Sequence, residues 1–364
     1  MIEERKTPLY EEHLKLGARM GNFAGWKMPL WYKGAMKEHL AVREDRGMFD
    51  VSHMGEISVS GDKSEDFIQI LVTSDISKLE EGSSLYTVIC NEMGGIKDDV
   101  IIFRTGENEF LLVVNAINRE KIYLWIKNLS KLWGNLKIKD ITERIGLIAL
   151  QGPNSIELLD EAGLSLSIRR FQFQEDELFG EKVTISRTGY TGEDGVEIFS
   201  DPEGIRVIWR KLIDMGVEPC GLASRDSLRI EAGFVLYGNE ISEEISPIES
   251  KLSFVVSKEK EFIGREKIIE KMEMGVDKTR IGFALLEKGI PRRGQEILSL
   301  EGDKIGEVTS GTYSPTSGAI GMGYIPPDYK GKIYLKIRNR EVEAELRNWP
   351  FFDREKYGIG RVRK

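Results

Sequence analysis

The sequence predicts an α+β fold followed by a small all-β domain, and three observations carry that expectation. Up to about residue 275, strand-like runs alternate with helical ones, yet several neighbouring strands are joined by tight turns rather than crossover helices. Beyond that point the helical period disappears, and short strands are separated by Gly, Pro, Ser and Thr turns. The chain has 364 residues, more than one hydrophobic core usually serves, so two or three units are expected.

The elements follow in order. "KTPLYEEHLKLG" predicts a helix with Thr7 as N-cap and Pro8 in its first turn. "MKEHLAVREDRGMFD" predicts a second short helix, "GEISVSG" a strand, and "KSEDFIQILVT" a helix with Phe67, Ile70 and Leu71 on one face. "SLYTVICN", "DDVIIFRT" and "EFLLVVN" are strand-like runs separated by "EMGG" and "GEN", which predicts a meander. "REKIYLWIKNLSKLWG" places Ile122, Trp125, Ile126 and Leu129 on one helical stripe, and "RIGLIALQG" reads as a strand leading into a helix at "PNSIELLDEAG". The segment from Lys278 to Phe351 reads as a barrel or a sandwich.

Composition excludes several functions. The chain is 40% hydrophobic and 31% charged with a net charge of −8, which suits a globular protein and gives no basic stripe for nucleic acid. No apolar run approaches a membrane span, and "MIEERKTPLYEEH" resembles neither a secretory signal nor a transit peptide, so a cytoplasmic protein is expected. Cys90 and Cys220 are far apart and outside any CxxC, as expected of reduced, buried thiols. His13, His39 and His53 have no metal-ligand spacing, so no metal is expected.

Four stretches are more specified than structure alone requires. In "GGIKDDVIIF", successive side chains of a strand point to opposite faces, so Asp98 and Asp99 must part. Asp99 would share a face with Ile101 and Phe103, where an unpaired carboxylate is costly; turn chemistry is the plainer explanation of such a pair. "SRTGYTGEDGVE" has glycines at 189, 192 and 195, implying positive φ or close approach of backbone, but Glu193 and Asp194 would repel phosphate. Its Glu197, on the short strand "VEIF", could accept adjacent N–H donors of a ring. "GLASRDSLRIEAGFVLYGNE" puts Arg225 and Arg229 four apart on one helical face, either as surface ion pairs or as guanidinium groups aimed at an anionic ligand. In "MFDVSHMGE", Met48, Phe49 and Met54 read as core and His53 as a satisfied polar residue.

Taken together, "FAGWKMPLWY", "MFDVSHMGE", "NEMGGIKDDVIIF", "VVNAIN", "LQGPNS", "RTGYTGEDGVEIF", "GLASRDSLRIEAGFVLYGNEI" and "GEVTSGTYSPT" resemble, in order and over nearly the whole chain, the T-protein family of the glycine cleavage system. The resemblance implies a folate-binding core of two α+β units, about residues 1–140 and 141–275, with a C-terminal β-barrel at 276–364, in a cloverleaf around a central pocket. It implies an aminomethyltransferase that moves the methylene of aminomethyl-lipoyl H-protein to tetrahydrofolate and releases ammonia. Lipoylated H-protein is then the partner and tetrahydrofolate the one-carbon acceptor.

Residue by residue, the second aspartate of the family's pair matches Asp99, which would meet the folate nitrogens, take a proton and stabilise positive charge on the transferred carbon. Its pKa should drift upward in the absence of ligand, and Asp98 would be its solvated neighbour. Glu197 matches the acid that recognises the pterin 2-amino and N3–H edge. Tyr86, Asn115 and Tyr190 match pocket positions, Arg225 a binding arginine, and Tyr237 lies in the matching "LYG". Arg293 would meet the folate glutamate tail, Tyr357 stands near the place of a contacting tyrosine, and Phe103 replaces a tyrosine, losing a hydroxyl.

The same fold also serves folate-dependent demethylases and non-catalytic folate binders. The flavin-fused relatives would need a GxGxxG fingerprint, which is absent, and the iron–sulfur-assembly type a cysteine in a Gly-rich motif, which neither Cys90 nor Cys220 occupies.

Overall fold

A computed structural model describes residues 4–361. The predicted meander forms as Ser84–Cys90, Ile96–Gly106 and Glu109–Val114, and Gly55–Ser60 with Lys137–Asp140 completes a five-stranded sheet. Its inner face carries Ile57, Val59, Val100, Ile102 and Leu112, packed against Phe67, Ile68 and Leu71 of helix Ser64–Leu71 and against Ile122 and Ile126 of helix Arg119–Leu129. Alternation along the strands thus meets the stripe of helix Arg119–Leu129 as read from the sequence, whereas in helix Ser64–Leu71 it is Ile68 rather than Ile70 that joins Phe67 and Leu71 in the core.

A six-stranded sheet runs Phe173–Leu178, Glu181–Ser186, Gly195–Ser200, Gly146–Gln151, Gly47–Asp50 and Glu218–Cys220. The second helix stops at Glu44, and residues 48–50, read from the sequence as its end, belong instead to strand Gly47–Asp50, which pairs antiparallel with Gly146–Gln151; the chain thus lays one strand here before building the five-stranded sheet, then returns. The longest helix, Pro202–Asp214, covers this sheet with Ile205, Ile208, Trp209 and Leu212. It is capped by Asp201, whose carboxylate accepts from the amides of Glu203 and Gly204, with Pro202 in the first turn.

The barrel-or-sandwich alternative resolves to a closed six-stranded barrel: Thr279–Leu285, Gly318–Ile325, Lys304–Ser314, Glu296–Leu298, Ile333–Ile337 and Arg340–Leu346. Closure leaves no unpaired edge, and Phe283, Ile297, Val308 and Leu335 fill its interior. Among the described residues no helix is long and apolar enough to cross a membrane.

The first helix differs from expectation. It spans Tyr10–Lys15, and Thr7 does not cap it. The Thr7 hydroxyl donates instead to the buried Asp50 carboxylate at 2.6 Å, which His13 Nε2 also contacts at 2.8 Å, while His13 Nδ1 meets the Tyr32 hydroxyl at 2.8 Å. A buried carboxylate in need of donors outcompetes a local cap.

The units are tied together by charge. Arg43, fully buried on helix Ala35–Glu44, donates through Nε to Glu231 at 2.7 Å and through Nη1 to Glu193 at 3.2 Å and the Thr191 carbonyl at 2.8 Å. Glu231, on helix Leu222–Ala232, also bonds His39 and the hydroxyls of Ser314, Thr316 and Ser317 in the barrel. Burial alone would raise its pKa, but the His39 hydrogen bond and the Arg43 charge hold it well below the usual carboxylate range. Arg43→Met should therefore destabilise the fold by about 3–5 kcal/mol, because it strands two buried carboxylates. Denaturant unfolding would measure it, and a loss below about 1 kcal/mol would mean that the knot is not needed.

Candidate functional site

The two sheets, helix Leu222–Ala232 and the barrel enclose a cavity of about 940 Å³. Tyr86, Asp99, Asn115, Tyr190, Glu197, Arg225, Tyr237 and Arg293 all line it, although they come from segments more than 200 residues apart.

The aspartates occupy opposite faces of strand Ile96–Gly106, as alternation requires. Asp99 shares the cavity face with Ile101 and Phe103. Its Oδ2 accepts from the Tyr86 hydroxyl at 3.0 Å and its Oδ1 from Asn115 Nδ2 at 2.7 Å. Asp98 is not the solvated neighbour expected: it is fully buried on the core face. Three N–H groups compensate it, Asn115 N at 3.0 Å and Nδ2 at 2.8 Å, and Asn118 Nδ2 at 2.7 Å. Burial raises the pKa of both carboxyls, and the Asp99 charge adds to the rise at Asp98. Two such groups titrate as a pair.

The glycine-rich loop does what its glycines imply. Gly192 and Gly195 have φ of +81° and +155°, and a Cβ on Gly189 would lie 2.0 Å from the Gln151 amide oxygen. The acids of the loop are structural: Glu193 pairs with Arg43 and Arg361, and Asp194 takes both ends of the Arg187 guanidinium at 3.2 and 2.6 Å. Glu197 follows on strand Gly195–Ser200, facing the cavity, with one oxygen receiving the Thr188 hydroxyl.

The two arginines of helix Leu222–Ala232 part company. Arg229 is buried and fully engaged, by Asp226 at 2.8 Å, Glu240 at 2.6 Å, the Phe234 carbonyl at 3.0 Å and Ser310 at 2.6 Å. Arg225 points to the cavity, with its guanidinium 5.0 Å from the Tyr190 ring centre and 5.8 Å from that of Phe49. Its Nη1 is buried without a partner. Tyr190 stacks on Phe234 at 5.7 Å and donates to the Val235 carbonyl. Lys121 Nζ donates to the Tyr237 hydroxyl at 2.9 Å, and Arg293, exposed at the rim, donates to Asn239 at 2.9 Å.

Tyr357 is not brought to the cavity. It is buried with Ala232 and Phe352 in a small apolar cluster, and it is the nearby Ile359 that lines the cavity. Phe103 makes edge-on contacts of 5.5 Å with Phe173 and Phe199, so the phenyl ring in place of a tyrosine is packed among aromatics. His53 departs from its expected role: it lines the cavity at 3% exposure, and Nδ1 has no hydrogen-bond partner. Sequence reasoning missed it because only the fold shows that no donor or acceptor reaches that nitrogen. Among the described residues no group of three or more His, Cys, Asp or Glu is placed to hold a metal ion.

Comparison with known proteins gives the class. A solved structure described as glycine cleavage system aminomethyltransferase T from Bartonella henselae superposes with a TM-score of 0.91 at 36% identity, covering 98% of this chain and 99% of that one. The fold with its central cavity is thus that of an aminomethyltransferase. Residues 9–260 match the GCVT N-terminal domain and residues 278–353 the glycine cleavage T-protein C-terminal barrel domain. Proteins named aminomethyltransferase are similar along their whole length: that of Rubrobacter xylanophilus is 46% identical, covering 97% of this chain and 95% of its own, and that of Thermosipho melanesiensis 44%, covering 95% and 96%. The chain belongs to the glycine cleavage T-protein family, and it is an enzyme.

The raised pair implies a stability signature. A carboxyl whose pKa is higher folded than unfolded favours the fold at low pH, and that advantage is lost as pH rises through the folded value. Asp99→Asn should therefore melt at or above the wild-type temperature at pH 8, with the difference shrinking towards pH 4. Melting curves across that range would check it; a variant destabilised most at pH 8 would show that the Asp99 charge is favourable in the ligand-free protein.

Proposed function

We propose that this cavity is where the chain transfers a methylene unit from the aminomethylated lipoyl arm of an H-protein to tetrahydrofolate, with release of ammonia, and that Asp99 is its catalytic residue. The observation that carries the reading is the Asp99 carboxylate on one wall of the cavity, held by Tyr86 and Asn115 and facing the same space as Glu197 and the unpartnered Arg225.

The residues fit a reduced folate. A volume of about 940 Å³ suits a ligand of that size. Glu197 keeps acceptor capacity beyond the Thr188 bond, which suits the adjacent N–H donors of a pterin edge. The Tyr190–Phe234 stack offers an aromatic surface, and Arg225 a guanidinium for a ligand oxygen. Arg293 at the rim suits the carboxylates of the glutamate tail, where an exposed cation steers more than it binds.

Tetrahydrofolate supplies the nucleophilic nitrogens when bound. Asp99 takes the proton that the attacking nitrogen must lose, and its negative charge favours positive charge building on the transferred carbon. Tyr86 and Asn115 hold the carboxylate in one rotamer, and Asn115 is itself fixed through Asp98. The barrel and helix Leu222–Ala232 close the cavity, which limits escape of the one-carbon unit to water. The proposal carries a cytoplasmic placement with it, since Cys90 and Cys220 are buried and unpaired.

Asp99→Asn should bind tetrahydrofolate within a modest factor of wild type but lose about 10²–10⁴-fold in turnover. The assay follows ammonia and methylenetetrahydrofolate together from aminomethylated H-protein, and near-normal turnover would remove Asp99 from the chemistry. The acid limb of the wild-type profile should lie above the ordinary carboxylate range, because the raised pair loses its basic form as pH falls. Glu197→Ala should weaken folate by about 1–3 kcal/mol with melting nearly unchanged. Calorimetric titration reads the first and a thermal melt the second; unfolding without a binding defect would make Glu197 structural.

A further inference from the structure

We propose that His53 is the residue that meets the nitrogen of the donor's aminomethyl group, at the inner end of an apolar throat that admits the donor's arm. The inference rests on the transfer reading above.

The throat is built by the N-terminal hairpin, Arg19–Phe23 with Trp26–Trp31. Phe23 lies edge-on to the His53 ring, 5.4 Å between centres at 88°. Leu30 and Trp31 abut the head of helix Leu222–Ala232 so closely that a Cβ on Gly221 would lie 2.4 Å from the Leu30 carbonyl. Phe23, Leu30, Trp31, Met54 and Leu222 therefore form one apolar wall of the cavity. An alkyl arm with a dithiol end asks nothing of its walls but apolar contact, until its tip, where the amine needs a hydrogen-bond acceptor.

His53 stands where that tip must arrive. The pairing of Gly55 with Val114 joins the strand that the loop 52–54 enters to the strand that ends just before Asn115, and Asn115 is the residue that holds Asp99. His53 and Asp99 are thus brought to the same stretch of chain, both facing the cavity. Arg225, which neighbours His53, carries only donors. Other acids of the region are engaged: Asp50 by Thr7, His13 and the Ser52 amide, Glu193 by Arg43 and Arg361, Asp194 by Arg187 and Asp226 by Arg229, while Glu197 is kept for the pterin edge. His53 is the side chain on this wall with an uncommitted nitrogen lone pair. Burial, against the opposing charge of Asp50 and with that of Arg225, lowers its pKa to about 4, so at neutral pH the imidazole is uncharged and one of its ring nitrogens can accept. The contact is a hydrogen bond, with no covalent bond made or broken at the ring.

The test compares wild-type protein with His53→Phe, which keeps an aromatic ring beside Phe23, and His53→Asn, which restores a polar group near the Nδ1 position. With aminomethylated H-protein and tetrahydrofolate, His53→Phe should lose roughly 10- to 100-fold in turnover, with folate affinity within about threefold of wild type. His53→Asn should recover part of that loss. Turnover of His53→Phe within about threefold of wild type would overturn the proposal, as would a loss matched by a loss of folate affinity, which would put His53 on the acceptor's side. Should neither variant fold, histidine-labelled wild-type protein decides by NMR. The His53 ring signals should move with aminomethylated H-protein more than with H-protein lacking the aminomethyl group, and equal or absent shifts would overturn it. Wild-type protein that forms neither product would overturn the transfer reading itself, a result distinct from any difference among variants.

Discussion

The arrangement of the whole molecule depends on one buried carboxylate, Glu231. It is fully buried on helix Leu222–Ala232, and its oxygens are reached by His39 and Arg43 from one side and by Ser314, Thr316 and Ser317 of the barrel from the other. An ionised group in that position is tolerable only when every partner is present, so helix Leu222–Ala232, helix Ala35–Glu44 and the barrel must meet in one way. Such a knot contributes more to specificity of arrangement than to net stability. Arg225 lies six residues earlier on the same helix, so the constraint that orients Glu231 also sets the direction from which Arg225 enters the cavity.

A second constraint acts across the strand Ile96–Gly106. Asp98 and Asp99 are adjacent in sequence and opposite in space, and they do different work. Asp98 gathers the amide and side chain of Asn115 and the side chain of Asn118, pinning the chain where it leaves strand Glu109–Val114. The same Asn115 side chain reaches Asp99. One carboxylate is thus sacrificed to the core so that the group holding the other cannot move. Catalytic geometry generally needs supports of this kind, whose own rotamers are locked.

Much of this was legible in the sequence. Period-2 alternation in "DDVIIF" put Asp99 with Ile101 and Phe103, and the texture after residue 275 announced an all-β unit. Of the glycines of "GYTGEDG", Gly189 and Gly195 are positions where a Cβ would strike Gln151 or the Leu150 carbonyl, and Gly192 has a positive φ. What could not be read were partners distant in the chain. Thr7 looks like a helix cap until Asp50 is placed beside it. Asp98 looks wet until three N–H groups arrive from the next strand and helix. Tyr357 carries the right residue type at a position the fold buries beside Phe352. In each case the local signal was real, and a long-range hydrogen bond or apolar contact outweighed it.

The pair Arg225 and Arg229 shows how to separate a binding group from a structural one. Both are arginines on one face of one helix, and helical spacing alone gives no reason to prefer either, although the family resemblance singles out Arg225. The fold gives Arg229 two carboxylates, a hydroxyl and a carbonyl, so its charge is spent within the protein. It gives Arg225 two aromatic rings and leaves a buried Nη1 unpaired. A buried donor without an acceptor costs about 1–3 kcal/mol, and natural folds rarely retain such a debt without a use. Within this cavity three groups remain short of partners: Arg225 and His53, beside the start of helix Leu222–Ala232 and the N-terminal hairpin, and Arg280 Nε on the barrel side, while Glu193, Asp194 and Asp226 are paired with arginines. Unspent hydrogen-bonding capacity that faces the cavity, rather than charge or residue type, is therefore what separates Arg225 from Arg229 as a group for a ligand.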